Sequence, residues 1–186
     1  MSELNKTQLS SYNNKQYKPG KNAIIRALWY IINILFFINP LNPFSALKII
    51  LLRLFGSKVG KGVNIKPSVN IKYPWKLKVG NYVWIGEKVW IDNLADVIIG
   101  DNCCLSQGAM LLTGNHNYKK SSFDLITGII VLEDGVWLGA QSVVTLSIKC
   151  FSHSMLTAGS VLSSDMEEYS IYRGNPAIKI KDRKIE

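Results

Sequence analysis

The chain is short of the residues on which many scaffolds rely for covalent or metal-based stability. Among 186 residues it has two histidines, three cysteines and thirteen acidic side chains. Three cysteines cannot build a disulfide framework and fit a reducing compartment. His116 and His153 stand far apart with no cluster of carboxylates, so no metal is expected. Phosphate-binding glycine loops, dinucleotide fingerprints and nucleophile elbows are absent. Residues 1–20 are polar and lack the apolar core and cleavage site of a signal peptide, which predicts a cytoplasmic protein. Scarce acid leaves a net charge of +9, which favours anionic partners such as phospholipid headgroups or a phosphorylated small molecule. The 22 basic residues are scattered, and no block of them points to nucleic acid.

What the chain does have is a beat. From Val59 an aliphatic residue recurs at every sixth position: VGKGVN (Val59), IKPSVN (Ile65), VGNYVW (Val79), IGEKVW (Ile85), IGDNCC (Ile99), LSQGAM (Leu105), LEDGVW (Leu132) and LGAQSV (Leu138). A small or aliphatic residue follows four places later, as at Val63, Val83, Cys103, Ala109 and Val136. A period of six matches neither a helix nor simple alternation. It predicts a parallel β-helix in which each hexad is one short strand and a turn, and three hexads make one triangular coil. Leads at 59, 65, 71, then 79, 85, 91, then 99, 105, 111 outline three coils, with two-residue insertions at 77–78 and 97–98. Leads at 132, 138, 144, 150 and 156 continue the solenoid, and residues 117–125 read as a loop thrown out of it.

The expected organisation is a polar arm and two apolar helices over residues 1–56, the β-helix over 57–165, and a turn with a basic tail over 166–186. Residues 1–20 would be frayed or draped over a neighbour. Asn175–Pro176 is a candidate cis bond. The apolar stretch 21–38 starts at Lys21 or Asn22 and stops at Asn39–Pro40. Three readings of it stand open: a helix packed on the solenoid or on another subunit, peripheral attachment to a membrane, or a transmembrane span, for which it is short. Residues 45–55 form a second amphipathic helix, with Ser45 as N-cap and Gly56 just past its end.

His116 lies in TGNHNY, where the beat breaks. Histidine ordinarily changes charge near neutral pH, so at such an edge it can act as a general base. Position alone leaves a turn-capping surface histidine equally open. His153 falls on an outward position, Cys103 and Cys150 on inward ones, and Cys104 faces out as a free thiol. Trp84, Trp90 and Trp137 close their hexads near a corner, where a tryptophan serves an interface or a ligand. Trp137 precedes Leu138-Gly139-Ala140, where a glycine lets backbone approach a ligand.

The hexads, NHNY before an extruded loop, LEDGVWLGAQSVV, TAGSVLSSDM and RGNPAIKI resemble the hexapeptide-repeat sugar O-acetyltransferases. PLNPFSALKIILLRLFG, IKYPWKLKVG and WIDNLADVIIGDNCCLSQGAMLLTGNH are similar to the colanic-acid-biosynthesis group among them. The resemblance implies an all-β, left-handed parallel β-helix assembled as a homotrimer, with active sites between subunits. It implies acetyl-CoA as co-substrate and a sugar hydroxyl as acceptor, in exopolysaccharide or surface-glycan biosynthesis. A lipid-linked acceptor would bring the enzyme to the inner face of the plasma membrane. By carry-over, His116 is the base and the Ala140 N–H stabilises the oxyanion. Trp137, Gly139, Ala158, Ser160, Ser163 and Lys179 would line the coenzyme site; Asn93, Asp92, Trp90 and Asn115 would meet the acceptor. The sequence departs from the pattern at Asn117 (often Asp), Phe151 (often Gly), Ser164 (often Lys) and Ile178 (often basic). The same fold also carries amino-sugar N-acetyltransferases and drug acetyltransferases, and non-catalytic scaffolds; the threonine arrays of ice-binding solenoids are missing here.

Overall fold

The computed structural model describes residues 6–186, and within them the hexads fold into a triangular parallel β-solenoid of about six turns. Each lead residue lies at or next to the end of a short strand and points inward, while its neighbour points out, the two-residue alternation of any strand. The first face stacks Lys58–Val59, Leu77–Val79, Val97–Ile99, Ile130–Leu132 and Lys149–Cys150. The second stacks Asn64–Ile65, Trp84–Ile85, Cys104–Leu105, Trp137–Leu138 and Met155–Leu156. The third stacks Asn70–Ile71, Trp90–Asp92, Met110–Leu112, Val143–Val144 and Val161–Leu162. In-register pairing puts Ile65, Ile85, Leu105, Leu138 and Leu156 in one buried column. Burying each such side chain contributes about 1.5–3 kcal/mol, so the columns carry the fold. The fourth-position residues, from Val63 to Ser142, fill the corners and are buried too.

The two-residue insertions do not fall between coils as the beat suggested. Leu77 and Val97 are buried and paired with each other in the first face, and Ile130 pairs with Val97. The extra length lies just upstream, in Lys72–Lys76 and Asn93–Asp96, at the corner joining the third face to the first. The long excursion from Thr113 to Gly128 leaves from that same corner one coil later. All the early irregularities of the repeat are thus stacked on one edge. A different edge, after the first face, is regular and is tied by carboxylates: Asp101 Oδ1 accepts from Asn81 N at 2.7 Å, and Asp134 Oδ1 from Asp101 N at 2.7 Å. The side-chain amide and backbone N–H of Asn81 hold the Asp101 carboxyl below the usual carboxylate range.

The N-terminal helices cover the open first coil. Helix α1 (Ala23–Ile32) is capped by Asn22, whose side chain accepts from Ile25 N. It widens into a π-helical turn over Asn33–Ile38. Trp29 and Phe37 are buried against the solenoid, the Trp29 indole donating to the Ile71 carbonyl at 2.8 Å. Asn33, which breaks the apolar run, is also buried and bonds Asn70. Helix α2 (Ser45–Leu54) plugs the end of the prism, with buried Leu52 inside and the Lys48 ammonium donating to the Lys66 carbonyl at 2.9 Å. Burial lowers the Lys48 pKa. Ser45 does not cap its helix. Its hydroxyl accepts from Ile65 N at 2.9 Å, because the exposed backbone of the first coil needs partners there.

The arm before α1 drapes over its own chain. Gln8 N donates to the Ser121 carbonyl, the Tyr17 hydroxyl to the Leu94 carbonyl, and the Trp75 indole to the Pro19 carbonyl. At the other end the tail is not a loose basic segment. Ser170–Gly174 and Ala177–Asp182 form an antiparallel hairpin around a cis Asn175–Pro176 bond and extend the second face.

Candidate active site

His116 ends a short strand, Gly114–His116, that pairs antiparallel with Leu125–Thr127 and so stiffens the base of the excursion. Its Nδ1 lies 2.8 Å from the Phe123 carbonyl oxygen. A carbonyl only accepts, so Nδ1 carries a proton, and in the neutral ring Nε2 holds the lone pair. The imidazole stacks on the Phe123 ring at 4.5 Å and 6°, and Tyr12 of the arm stands 5.7 Å away. The ring is therefore fixed in tautomer and in plane. Asn117 is not the orienting partner; its side chain accepts from Lys119 N, and the Phe123 carbonyl does the orienting. His116 borders an open depression of about 570 Å³ that also takes in Tyr12, Lys15, Arg26, Lys72 and Tyr73.

The acceptor-side residues fall near this edge with different fates. Asn115 is exposed and its Oδ1 accepts from His116 N at 2.8 Å, bracing the strand end. Asp92 closes its strand beside Lys72, whose ammonium sits 2.9 Å from Oδ1. Trp90 stays 39% exposed in a neighbouring hollow under α1. Asn93 is a correction: it is fully buried, and its amide bonds both the N–H and the carbonyl of Tyr73, so it holds the corner and reaches no ligand.

The coenzyme-side residues gather on another edge, between the second and third faces. There the backbone N–H groups of Glu87, Gln107, Ala140 and Ala158 have no acceptor among the described residues. Trp137 lies alongside, 39% exposed, its indole donating to Ser106 Oγ at 2.9 Å. Gly139 is needed for packing rather than for a ligand. A Cβ there would come within 2.5 Å of Ala158 N in the next coil. Ser160 is buried, its hydroxyl held between Thr157 Oγ1 and Gly174 N, so it is removed from the lining. Ser163 sits just past the third-face strand, at the far edge from Ala140. Lys179 is held by Glu167 at 2.8 Å and Asp182 at 2.9 Å; these carboxylates raise its pKa and take up two of its three donors.

His116 and Ala140 are thus on opposite edges of the third face. Ala140 precedes the strand Val143–Val144, and His116 follows Met110–Leu112, which pairs with it. At about 3.3 Å per residue the strand between them puts roughly 15 Å or more between the two groups. His153, by contrast, packs against Tyr169 at 4.8 Å and over Gly135, an architectural place. Cys103 and Cys150 are buried, the former with its thiol pushed up to about 12 by burial, and Cys104 is half-buried. No group of three metal-ligating side chains occurs among the described residues.

Searches with family models found no match. Single proteins do match, over nearly the whole length. The chain is 33% identical over 175 residues to the colanic acid biosynthesis acetyltransferase WcaF of Escherichia coli K12, covering 94% of this chain and 96% of that protein. This chain belongs to that acetyltransferase family. Hexapeptide-repeat acetyltransferases share its fold. The Vibrio cholerae hexapeptide-repeat acetyltransferase VCA0836, solved with acetyl coenzyme A, superposes with a TM-score of 0.78 at 22% identity over all of both chains. A maltose O-acetyltransferase of Clostridium difficile 630 superposes at 0.74, with 20% identity over 88% of this chain and 90% of that one. Within this acetyltransferase fold, sequence reasoning had missed Phe123, Tyr12, Lys15, Arg26 and Lys72 around His116. Only the stacking of coils and the path of the arm bring them there. The one available hint was that the two extra residues of the first two coils and the excursion all interrupt the beat after the third lead of a coil.

Proposed function

We propose that this acetyltransferase moves the acetyl group of acetyl-CoA to a hydroxyl of a saccharide acceptor, in the building of an exopolysaccharide or surface glycan. The observation that carries the reading is the Nδ1 contact to the Phe123 carbonyl, which in the neutral ring leaves Nε2 of His116 as the base, beside the open depression. An alcohol is a poor nucleophile until its proton is taken, and a positioned imidazole is worth about 10²–10⁴ in rate. Nε2 accepts the acceptor's hydroxyl proton as its oxygen bonds to the thioester carbonyl carbon. The oxyanion so formed accepts from the Ala140 N–H, a donor without an acceptor among the described residues. As the carbon–sulfur bond breaks, the imidazolium returns the proton to the departing thiolate. The products are an acetyl ester and free coenzyme A. The other open N–H groups of that row, at Glu87, Gln107 and Ala158, fit the amide carbonyls of the pantetheine arm.

Because one chain holds the base and the oxyanion donor on opposite edges, the reading requires a second copy. A homotrimer, in which the His116 edge of one subunit meets the Ala140 edge of the next, satisfies this with three equivalent sites. Attachment to a membrane surface through the outer faces of α1 and α2 completes the proposal and suits a lipid-linked acceptor. No helix among the described residues is long and apolar enough to cross a membrane.

Replacement of His116 by Ala tests the core of the proposal. Coenzyme A release in the presence of sugar acceptors should fall at least about 10²-fold, with an unchanged thermal midpoint and an unchanged thermal shift by acetyl-CoA. Near-normal turnover would overturn the assignment.

A further inference from the structure

The depression beside His116 has an uneven chemistry. Three cations line it, Lys15, Arg26 and Lys72, and none of its described lining residues is a carboxylate. Lys72 is paired with Asp92, which stands outside the depression. Arg26 shares the neighbouring hollow with Asp92 but makes no ion pair with it. Among the described residues no carboxylate lies within salt-bridge distance of its guanidinium, and its Nε is buried without a hydrogen-bond partner. Leaving a buried donor unsatisfied is costly, and a guanidinium fork is shaped for the paired oxygens of a phosphate or carboxylate. The backbone of Arg26, though not the guanidinium itself, is fixed by the helix. Arg26 lies on the first turn of α1, one turn from Trp29, whose indole is tied to Ile71.

The rest of the wall is aromatic. Tyr12 stands 5.7 Å from the His116 ring, Tyr73 stacks on Trp75 at 5.0 Å, and Tyr17 is pinned by its hydroxyl to Leu94. Aromatic faces suit the apolar faces of a pyranose, and cations suit an acidic substituent on it.

We propose that the arm and α1 build an anion-recognising acceptor subsite: Arg26, with Lys15 and Lys72, binds a phosphate or carboxylate carried by the saccharide and sets a neighbouring hydroxyl against His116. The acceptor is then an acidic or phosphate-linked sugar rather than a neutral one. This rests on the reading of His116 as the base, but the binding part is testable without catalysis. The arm makes the subsite within one chain, so a neutral-sugar enzyme of the same solenoid without the arm would lack it.

The test is a titration of the full chain carrying ¹⁵N-labelled histidine. With only two histidines, a His153→Gln variant assigns the ring signals. Inorganic pyrophosphate, glucuronate and glucose are added in separate arms. The expected result is a saturable shift of the His116 signals with pyrophosphate or glucuronate, and none with glucose at equal concentration. The stronger of the two anions tells phosphate from carboxylate. Arg26→Gln should weaken that response about tenfold, the scale of one charge-assisted hydrogen bond. Lys15→Gln should weaken it less. An unchanged thermal midpoint certifies that each variant is folded. If neither anion moves His116, if glucose does so equally, or if Arg26→Gln leaves the response intact, the subsite is refuted. If the intact chain ignores acetyl-CoA but its anion response obeys Arg26, the acetyl-transfer reading fails and the subsite stands.

Discussion

At the scale of single residues, the decisive group is a carbonyl. The Phe123 oxygen chooses which nitrogen of His116 keeps its proton, and the Phe123 ring keeps the imidazole from turning. Phe123 adopts φ 52°, the left-handed conformation that aims its carbonyl back at the strand. Phe123→Ala should therefore lower kcat by about tenfold through a loosened base, while KM for acetyl-CoA stays as it was. Steady-state kinetics with varied coenzyme check this; an unchanged kcat would show that the stack is passive. Residue context also reversed two readings. Asn93 and Ser160 carry ordinary ligand-binding groups, yet each is buried and bonded to backbone in its own corner. A hexad tells inward from outward, and at the corners that distinction depends on how the next coil sits.

At the scale of elements, α1, the π-helical turn and α2 bury one side and expose the other. Ile24 (78% exposed), Leu41 (86%), Phe44 (67%) and Leu54 (74%) are outward, with Leu28, Ile31 and Leu35 between them. So much open apolar surface on a basic chain fits an interfacial helix pair. Vesicles containing anionic lipid should sediment the protein, and Leu28→Glu with Leu35→Glu should release it without lowering the thermal midpoint. Equal release from intact protein would assign the face to another subunit. The carboxylate-tied corners predict a second property. Asp101 is held below its ordinary value by Asn81, and Glu133 by Lys149 and then Ser152. A depressed carboxylate stabilises the fold above its unfolded value and loses that contribution as pH falls through the folded one. The thermal midpoint should hold near neutrality and drop below about pH 4, where free carboxyls protonate. Asp101→Asn should flatten that drop in a pH series of melting curves, since Asn keeps an acceptor oxygen but no charge to lose.

At the scale of the whole molecule, the separation of His116 from Ala140 is the controlling fact. A site split across subunits can be rebuilt from broken halves. A His116→Ala chain and an Ala158→Trp chain, the latter blocking the coenzyme edge, should each be inactive alone. Unfolded and refolded together in equal amounts, they should recover about one quarter of full activity, because random mixing leaves that fraction of interfaces with both halves intact. Coenzyme A release measures it, and sedimentation gives the mass. No recovery in a mixed trimer would place the whole site within one chain.

The repeat was legible without any structure because its cause is local. A coil closes only if every sixth side chain is small or aliphatic and turned inward, so the period writes itself into the sequence from Val59 to Leu162. The start of α1 at Asn22 and the break of the beat before the excursion were legible for the same reason. Non-local matters were not. That Leu77 and Val97 belong to the first face follows from pairing across coils. That the last basic residues form a hairpin, with Lys179 claimed by Glu167 and Asp182, depends on strands folding back. That Tyr12, Lys15 and Arg26 line one depression with His116 depends on where the arm crosses the corner joining the third face to the first. Sequence sets which side chains must be hidden; only the stacked coils decide which of the remaining ones stand together.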